Sequence, residues 1–242
     1  MFYDQANYDI RCGWGLRGVE ALAPCSDVVV IVDVLSFSTC VDIATTRGAI
    51  IFPYPWRDDS ADAYAKSKQA HLAHKTRRFE GAYSLAPSSL CHIAPDTRLV
   101  LPSPNGSTLT MTAALCAKTL TGCLRNYQAV AQCAQRQGKT ITVIACGERW
   151  EQDQSLRPSL EDWLGAGAII SCLSGTKSPE AQAAVAVFND AQDNLKTLVK
   201  ACSSGRELIE RGFEEDVDLA VQLNISSGAP LLVDDAYVCQ YL

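Results

Sequence analysis

The chain has 242 residues, 48% hydrophobic and 20% charged, with a formal net charge of −6. That is enough chain to bury a core in one large α/β domain or two small ones, and it is not the composition of a disordered or fibrous protein. The acidic balance lacks the basic footprint that nucleic-acid binding requires; the nearest basic group, Lys75, Arg77 and Arg78, reads as a solvated helix end.

Two further classes are set aside. The longest apolar runs, Val28-Val29-Val30-Ile31-Val32 and Ala166-Gly167-Ala168-Ile169-Ile170, are far too short to cross a membrane. Met1-Phe2-Tyr3-Asp4 lacks the basic-then-apolar order of a signal peptide. The 11 cysteines are odd in number, form no Cys-x-x-Cys pair, and many sit in apolar runs, among them Cys40, Cys116, Cys146 and Cys172. They read as small hydrophobes of a reduced, cytoplasmic core rather than as disulfides or zinc ligands.

In chain order, Asp27 to Val32 is a β-branched run of the kind a buried parallel strand shows. Helical spacing follows over 38–47, closed by Gly48. A strand is predicted over 49–52, a polar Ala-rich helix over 58–74 containing His71 and His74, and an irregular stretch over 78–95. A strand at 98–101 runs into Pro102-Ser103-Pro104-Asn105-Gly106-Ser107-Thr108 and a helix over 109–118. A strand over 119–124, a helix from Asn126 to Arg136 and a strand over 140–145 come next. A polar insertion spans 149–157, and Pro158-Ser159 opens a helix reaching Leu173. Helices over 178–202, 205–211 and 214–222 and a short strand at 231–233 complete the pattern. The fold expected is α/β: a mostly parallel sheet with helices on both faces and a helix-rich C-terminal third. It is expected as a single domain over 1–242, or as two closely packed lobes of about 1–157 and 158–242.

Open parallel sheets bind ligands beyond the carboxyl ends of their strands. Three turns meet that condition. The first is Asp33-Val34-Leu35-Ser36-Phe37-Ser38-Thr39, where a carboxylate directly follows an apolar strand. The second is Asn105-Gly106-Ser107-Thr108, a tight turn opening a helix whose N-terminus suits an anion. The third is Cys146-Gly147-Glu148, joined to Glu161 and Asp162 ahead of Gly165-Ala166-Gly167. One of Glu161 and Asp162 is expected only to complement the helix dipole, and the two glycines predict close backbone packing. Each turn alone reads equally as a helix cap; together their carboxylates suit Mg2+. A Walker phosphate loop and a Gly-x-Ser-x-Gly elbow are absent. Gly13, Gly15 and Gly18 have dinucleotide spacing but precede the first strong strand.

At these turns the sequence resembles the 2-phosphosulfolactate phosphatase family. The matching stretches are Val30-Ile31-Val32-Asp33-Val34-Leu35, Ser103-Pro104-Asn105-Gly106-Ser107-Thr108, Cys146-Gly147-Glu148, Glu161-Asp162-x-x-Gly165-Ala166-Gly167, and Ser204-Gly205-x-x-Leu208 with Asp216 downstream. The resemblance implies a magnesium-dependent phosphatase of the coenzyme M pathway, acting on a small anionic phosphorylated substrate. Asp33 would be the principal ligand or the nucleophile, with Glu148, Glu161 and Asp162 as further acids. Ser36, Ser38, Thr39 and the 105–108 turn would hold oxygens of the substrate, with Arg17 or Arg206 for a sulfonate or carboxylate. Many members carry Arg where this chain has Ser36, so a cation of the pattern is missing. The competing expectations are a non-catalytic anion-binding module and a sugar-phosphate-type isomerase. Self-association into a homo-oligomer is compatible with the sequence.

Overall fold

The computed structural model describes residues 2–55, 58–74, 76–77 and 82–241. Strand β1 (Ile10–Trp14) leads into helix α1 (Gly15–Leu22), β2 (Val28–Val32) into α2 (Phe37–Thr46), and β3 (Ile50–Tyr54) into α3 (Asp59–Ser67). The short β4 (His71–Leu72) and α4 (Pro87–Leu90) precede β5 (Arg98–Pro102), α5 (Gly106–Ala113), β6 (Lys118–Gly122), α6 (Tyr127–Gln137) and β7 (Ile141–Ala145). A small hairpin, β8 (Glu148–Arg149) with β9 (Leu156–Arg157), occupies the polar insertion. Helices α7 (Leu160–Ser171), α8 (Pro179–Ala191), α9 (Leu195–Ala201), α10 (Ser203–Glu210) and α11 (Glu214–Ala220) come before strands β10 (Gly228–Val233) and β11 (Ala236–Tyr241).

Among the described residues nine strands form one sheet in the order β1-β7-β2-β6-β10-β11-β3-β5-β4. It contains two parallel blocks, β1-β7-β2-β6 and β3-β5-β4. Between them sits the antiparallel β10–β11 hairpin, bridged to one block at Leu231–Leu120 and to the other at Tyr237–Ile51. The α/β class and the mostly parallel sheet are as the sequence predicts. The hairpin in the middle is the addition: only 231–233 reads as a strand in sequence. Its turn residues, Asp234 and Asp235, both adopt positive φ. Such a two-residue turn is usually announced by Asn-Gly or Asp-Gly, so Asp-Asp carries a weak signal.

Alternation along the central strands sends side chains to both faces. Val28, Val30 and Val32 join α6, α7 and α8 residues in one core, while Val29 and Ile31 meet Val19, Leu22 and Leu109 from α1 and α5 in another. In the second block, Ile51, Leu99 and Leu101 pack under α2, and Phe52 and Val100 face Ala65 of α3. Every residue of β2 is buried, which explains its unbroken β-branched run.

Several boundaries depart from the sequence reading. The helix predicted over 58–74 stops at Ser67, and Gln69 turns the chain with φ 51°. His71 therefore lies in β4, and His74 bridges to Ser84. The helix predicted over 178–202 is interrupted by a 3₁₀ turn at Gln192–Asn194, which lets Leu195 and Val199 turn back into the core. Asn126 sits at the start of α6 without capping it: its side chain accepts from Cys123 N (2.9 Å) and donates to the Gly228 carbonyl (3.2 Å). Cys40 and Cys146 are buried as expected, but Cys116 is exposed and Cys172 half-buried. Gly13 lies within a strand, β1, and Gly15 and Gly18 follow it in α1; the mixed composition of this edge strand carries no strand signal in the sequence. Its neighbour is β7 rather than the next strand in the chain, so the βαβ unit of a dinucleotide site does not form.

Gly165 and Gly167 explain themselves through packing, as predicted. A Cβ on Gly167 would lie 2.1 Å from the Ala184 carbonyl oxygen, and one on Gly165 would lie 2.8 Å from the methyls of Val32 and Val34. Backbone cannot move aside as a side chain can. Gly167→Ala should therefore cost about 1–3 kcal/mol through overpacking of α7 on α8, despite the gain in helix propensity. Gly165→Ala should cost less. Urea denaturation midpoints measure both; a neutral or stabilising Gly167→Ala would show that the two helices are not in backbone contact.

Candidate active site

Strands β2 and β7 lie side by side in register, Val32 opposite Ala145, so Asp33 and the 146–148 turn leave the sheet together. The turn after β5 reaches the same place. Gly106 N donates to Asp33 Oδ2 (3.1 Å) and to Ser103 Oγ (3.1 Å), while Phe37 N donates to Asp33 Oδ1 (3.1 Å). From the first turn of α7, Asp162 accepts from Val34 N (2.7 Å) and from Gly147 N (2.8 Å). Two carboxylates thus knit together all three turns identified in the sequence.

Glu161 and Glu148 complete an acidic cluster. Glu161 is buried and accepts from the Cys202 thiol (3.2 Å). Glu148 is half-buried and accepts from Asn105 Nδ2 (3.0 Å). Neither acid of the Glu161-Asp162 pair is a plain dipole partner at the surface; both point inward. Burial raises the Asp33 pKa, offset by its two N–H bonds and raised again by the Glu161 charge. Burial and the charges of Glu161, Asp33 and Glu148 push Asp162 well above the carboxylate range. Glu148 is pushed up to about 7 by burial and by Asp33, against the stabilising Asn105 bond.

The hydroxyl groups divide into two sets. Ser38 Oγ accepts from Asp33 N (2.8 Å) and pairs with Thr121 (2.7 Å); Thr39 donates to the Val34 carbonyl (2.7 Å); Ser107 donates to the Leu101 carbonyl (3.0 Å). All three are buried and engaged in shaping the turns, which departs from the oxygen-holding role expected of them. Thr108 is half-buried at the start of α5. Gly106 lacks the positive φ that a turn glycine often supplies; a Cβ there would lie 2.3 Å from the Phe37 ring, so its close approach is to protein. Ser36 remains at the site, after a cis Leu35–Ser36 peptide.

The arginines are placed differently from the sequence reading. Arg206 lies on the exposed side of α10, paired with Glu210, and does not reach the acids. Arg17 is exposed and paired with Glu20, but it lines the mouth of a cavity of about 420 Å³ that also touches Asn105, Glu148, Trp14 and Leu156. A larger cavity, about 820 Å³, between the 3–5 segment and α1 contains none of the acids. Arg77, read in sequence as part of a solvated helix end, instead donates to Ser36 Oγ (2.9 Å) and pairs with buried Asp216 (3.3 Å). Lys75 and Arg78 of that group lie outside the described residues. Arg77 thus stands beside Ser36 although the two are 41 residues apart in the chain. Arg157 approaches Ser204 (3.5 Å), and its charge acts on Glu148.

Whether these residues fit Mg2+ is a matter of donor chemistry. Four carboxylates are crowded with limited access to water; burial and their neighbours' charges raise the pKa values of Asp33, Glu148 and Asp162, a repulsion that a bound cation relieves. Among the described residues no three acid, His or Cys side chains converge as a ready cage. That suits an ion that takes one or two carboxylates and keeps its waters and substrate oxygens. The set fits.

A family model described as 2-phosphosulpholactate phosphatase matches residues 19–235. The chain belongs to that family and is, by that membership, a phosphoric monoester hydrolase. It is 26% identical over 86% of its length to a 2-phosphosulfolactate phosphatase of Methanothermobacter thermautotrophicus, covering 88% of that protein. Probable 2-phosphosulfolactate phosphatases of Thermosynechococcus vestitus (25% identical, 84% of this chain, 88% of the relative) and Thermotoga petrophila (26%, 90% and 96%) are also similar. Membership in a hydrolase family displaces the binding-module and isomerase expectations. Among the described residues no helix is long and apolar enough to cross a membrane.

The raised pKa values have a consequence for stability. Glu148 holds its proton up to about pH 7 when folded, against an ordinary 4.5. Within that window the native state binds more protons than the unfolded one, so its stability falls as pH rises. Asp33 and Asp162 are shifted the same way. Thermal melts of chelator-treated protein should therefore show a drop in Tm between pH 5 and pH 7.5, and Glu148→Gln should flatten that slope. An identical slope in both proteins would show that Glu148 is not held in this charged, buried setting.

Proposed function

We propose that this chain hydrolyses a small phosphorylated acid, 2-phosphosulfolactate to sulfolactate and inorganic phosphate, with Mg2+ bound among its acids. The observation that carries this reading is the meeting of three strand-end turns at Asp33, with Glu148 and Glu161 beside it, in a chain of that phosphatase family. The resemblance supports a place in coenzyme M synthesis. The buried thiols of Cys12, Cys40, Cys123, Cys133 and Cys146 support a reducing, cytoplasmic setting.

Asp33, with Glu161 or Glu148 beside it, would hold the ion. Bound magnesium would neutralise phosphoryl charge and orient water for in-line attack. Both Asp33 oxygens already accept backbone N–H groups, which fixes the carboxylate and draws charge from it. That favours an anchoring role over attack on phosphorus, so water is the nucleophile in this reading. Asp162 holds the Val34 and Gly147 backbones and so keeps Asp33 and Glu148 at a fixed separation. Glu148, with its pKa near 7, is suited to give a proton to the departing ester oxygen. Thr108 and the 105–108 backbone lie where phosphoryl oxygens would approach the start of α5.

Purified protein should release inorganic phosphate from 2-phosphosulfolactate with added Mg2+ and stop on chelation. Asp33→Asn should lower turnover by about a hundredfold or more while circular dichroism still reports a cooperative fold. Full activity in metal-stripped protein would sink the magnesium assignment. Near-parent turnover in Asp33→Asn would move the anchoring role to another acid, and a phosphorylated enzyme trapped by rapid quench would replace water as the attacking group.

A further inference from the structure

We propose that Arg77 and Ser36 form the subsite for a second, non-reacting acid group of the substrate, a carboxylate or sulfonate carried beside the phosphate ester. This role rests on the phosphatase reading of the same site and adds the groups that recognise the rest of the molecule.

Arg77 comes from the segment between β4 and α4, where its carbonyl accepts from Ser84 Oγ (2.5 Å). One guanidinium nitrogen lies 3.3 Å from Asp216 Oδ2, and another donates to Ser36 Oγ at 2.9 Å. The group also lies over the Phe213 ring, 5.7 Å from its centroid. Asp216 is itself fully buried, and its other oxygen accepts from Ser88 N (2.9 Å). A backbone-held carboxylate therefore fixes a cation whose side chain keeps 17% of its exposure.

Docking of this segment onto α11 would explain the Asp216 contact alone. It does not explain the rest. The pair is a single 3.3 Å contact rather than a two-pronged fork. The other arm goes to a hydroxyl in the loop that starts at Asp33, not to a second acid. Among the described residues these bonds engage two of the five guanidinium donors. Ser36, also buried, accepts from Arg77, and its own hydroxyl proton has no acceptor among the described residues. N–H donors of a fixed cation and a neighbouring O–H that no described residue engages are what a carboxylate or sulfonate accepts from.

The layout of charge says which group of the substrate goes there. Arg77 bonds Ser36, just ahead of α2, and Asp216 of α11, and Ser88 of α4 in turn donates to Asp216. Glu148 and its partner Asn105 stand on the β7–β8 and α5 side. Asp33 lies between, bonded to Phe37 of α2 and Gly106 of α5. The site has an acidic pole, which repels a free carboxylate but would hold a cation and the phosphoryl group, and a cationic pole at Arg77. A molecule with a phosphate at one end and a second acid at the other matches both.

The test compares two esters, 2-phosphosulfolactate and glycerol 2-phosphate, which lacks the second acid. Arg77→Ala should raise KM for the first by about ten- to a hundredfold, with a much smaller change in kcat and a penalty on glycerol 2-phosphate at least about fivefold smaller. Arg77→Lys, which keeps the charge and the docking contact but loses the second guanidinium arm to Ser36, should give an intermediate KM and the parent's Tm. Equal losses on both esters would assign Arg77 to the phosphoryl group, and unchanged kinetics in a folded variant would reduce it to docking; either overturns the proposal. Calorimetric binding of sulfolactate to metal-loaded protein separates this inference from the hydrolytic one. Binding that is lost in Arg77→Ala supports the subsite even if no ester is turned over, while binding that survives the substitution sinks it.

Discussion

The Asp33 carboxylate is the joint on which the site depends. One oxygen takes the Phe37 N–H at the start of α2, and the other takes the Gly106 N–H at the start of α5. Those helices follow strands from different parallel blocks of the sheet, β2 in one and β5 in the other. A buried acceptor is costly unless both oxygens are satisfied, so Asp33 holds two strand ends at a fixed separation. Asp162 repeats the device between the loops after β2 and β7. Fixing three turns with two carboxylates buries them and brings like charges together, and both effects raise the Asp33 and Asp162 pKa values.

The same economy explains which hydroxyls are left for chemistry. Ser38, Thr39 and Ser107 satisfy buried backbone groups and shape the turns. Because those groups are engaged internally, recognition in the proposed reading falls to the polar side chains that the turns do not use up: Ser36, Asn105, Glu148 and Arg77. Burial of Asp216 then has a purpose beyond its own helix, since it sets where the Arg77 guanidinium stands.

Much of this was legible in the residues. The β-branched run of β2, the proline and glycine punctuation and the carboxyl-end rule located all three turns, and Gly165 and Gly167 announced a close helix contact that the α7–α8 packing bears out. Edge strand β1 was missed because its five residues mix charge, glycine and tryptophan. The β10–β11 hairpin was half missed because its Asp-Asp turn lacks the usual glycine.

Local sequence determines what each segment prefers to be: period-2 runs became strands, apolar helical faces became core, and acids placed after strands reached the ligand end. Which acids meet, and in what order of burial, follows from sheet order and register, which no local pattern specifies. Val32 opposite Ala145 brings Asp33 beside Glu148, and the bond from Gly106 closes the second block onto the first. Arg77 shows the limit most clearly. Its neighbours in sequence are polar and irregular, and it reads as solvated, yet it is 41 residues from Ser36 and 139 from Asp216. Only the folded chain places those three together, because the energy that holds them, charge paired in a partly dry environment, does not exist until the surrounding helices have excluded water.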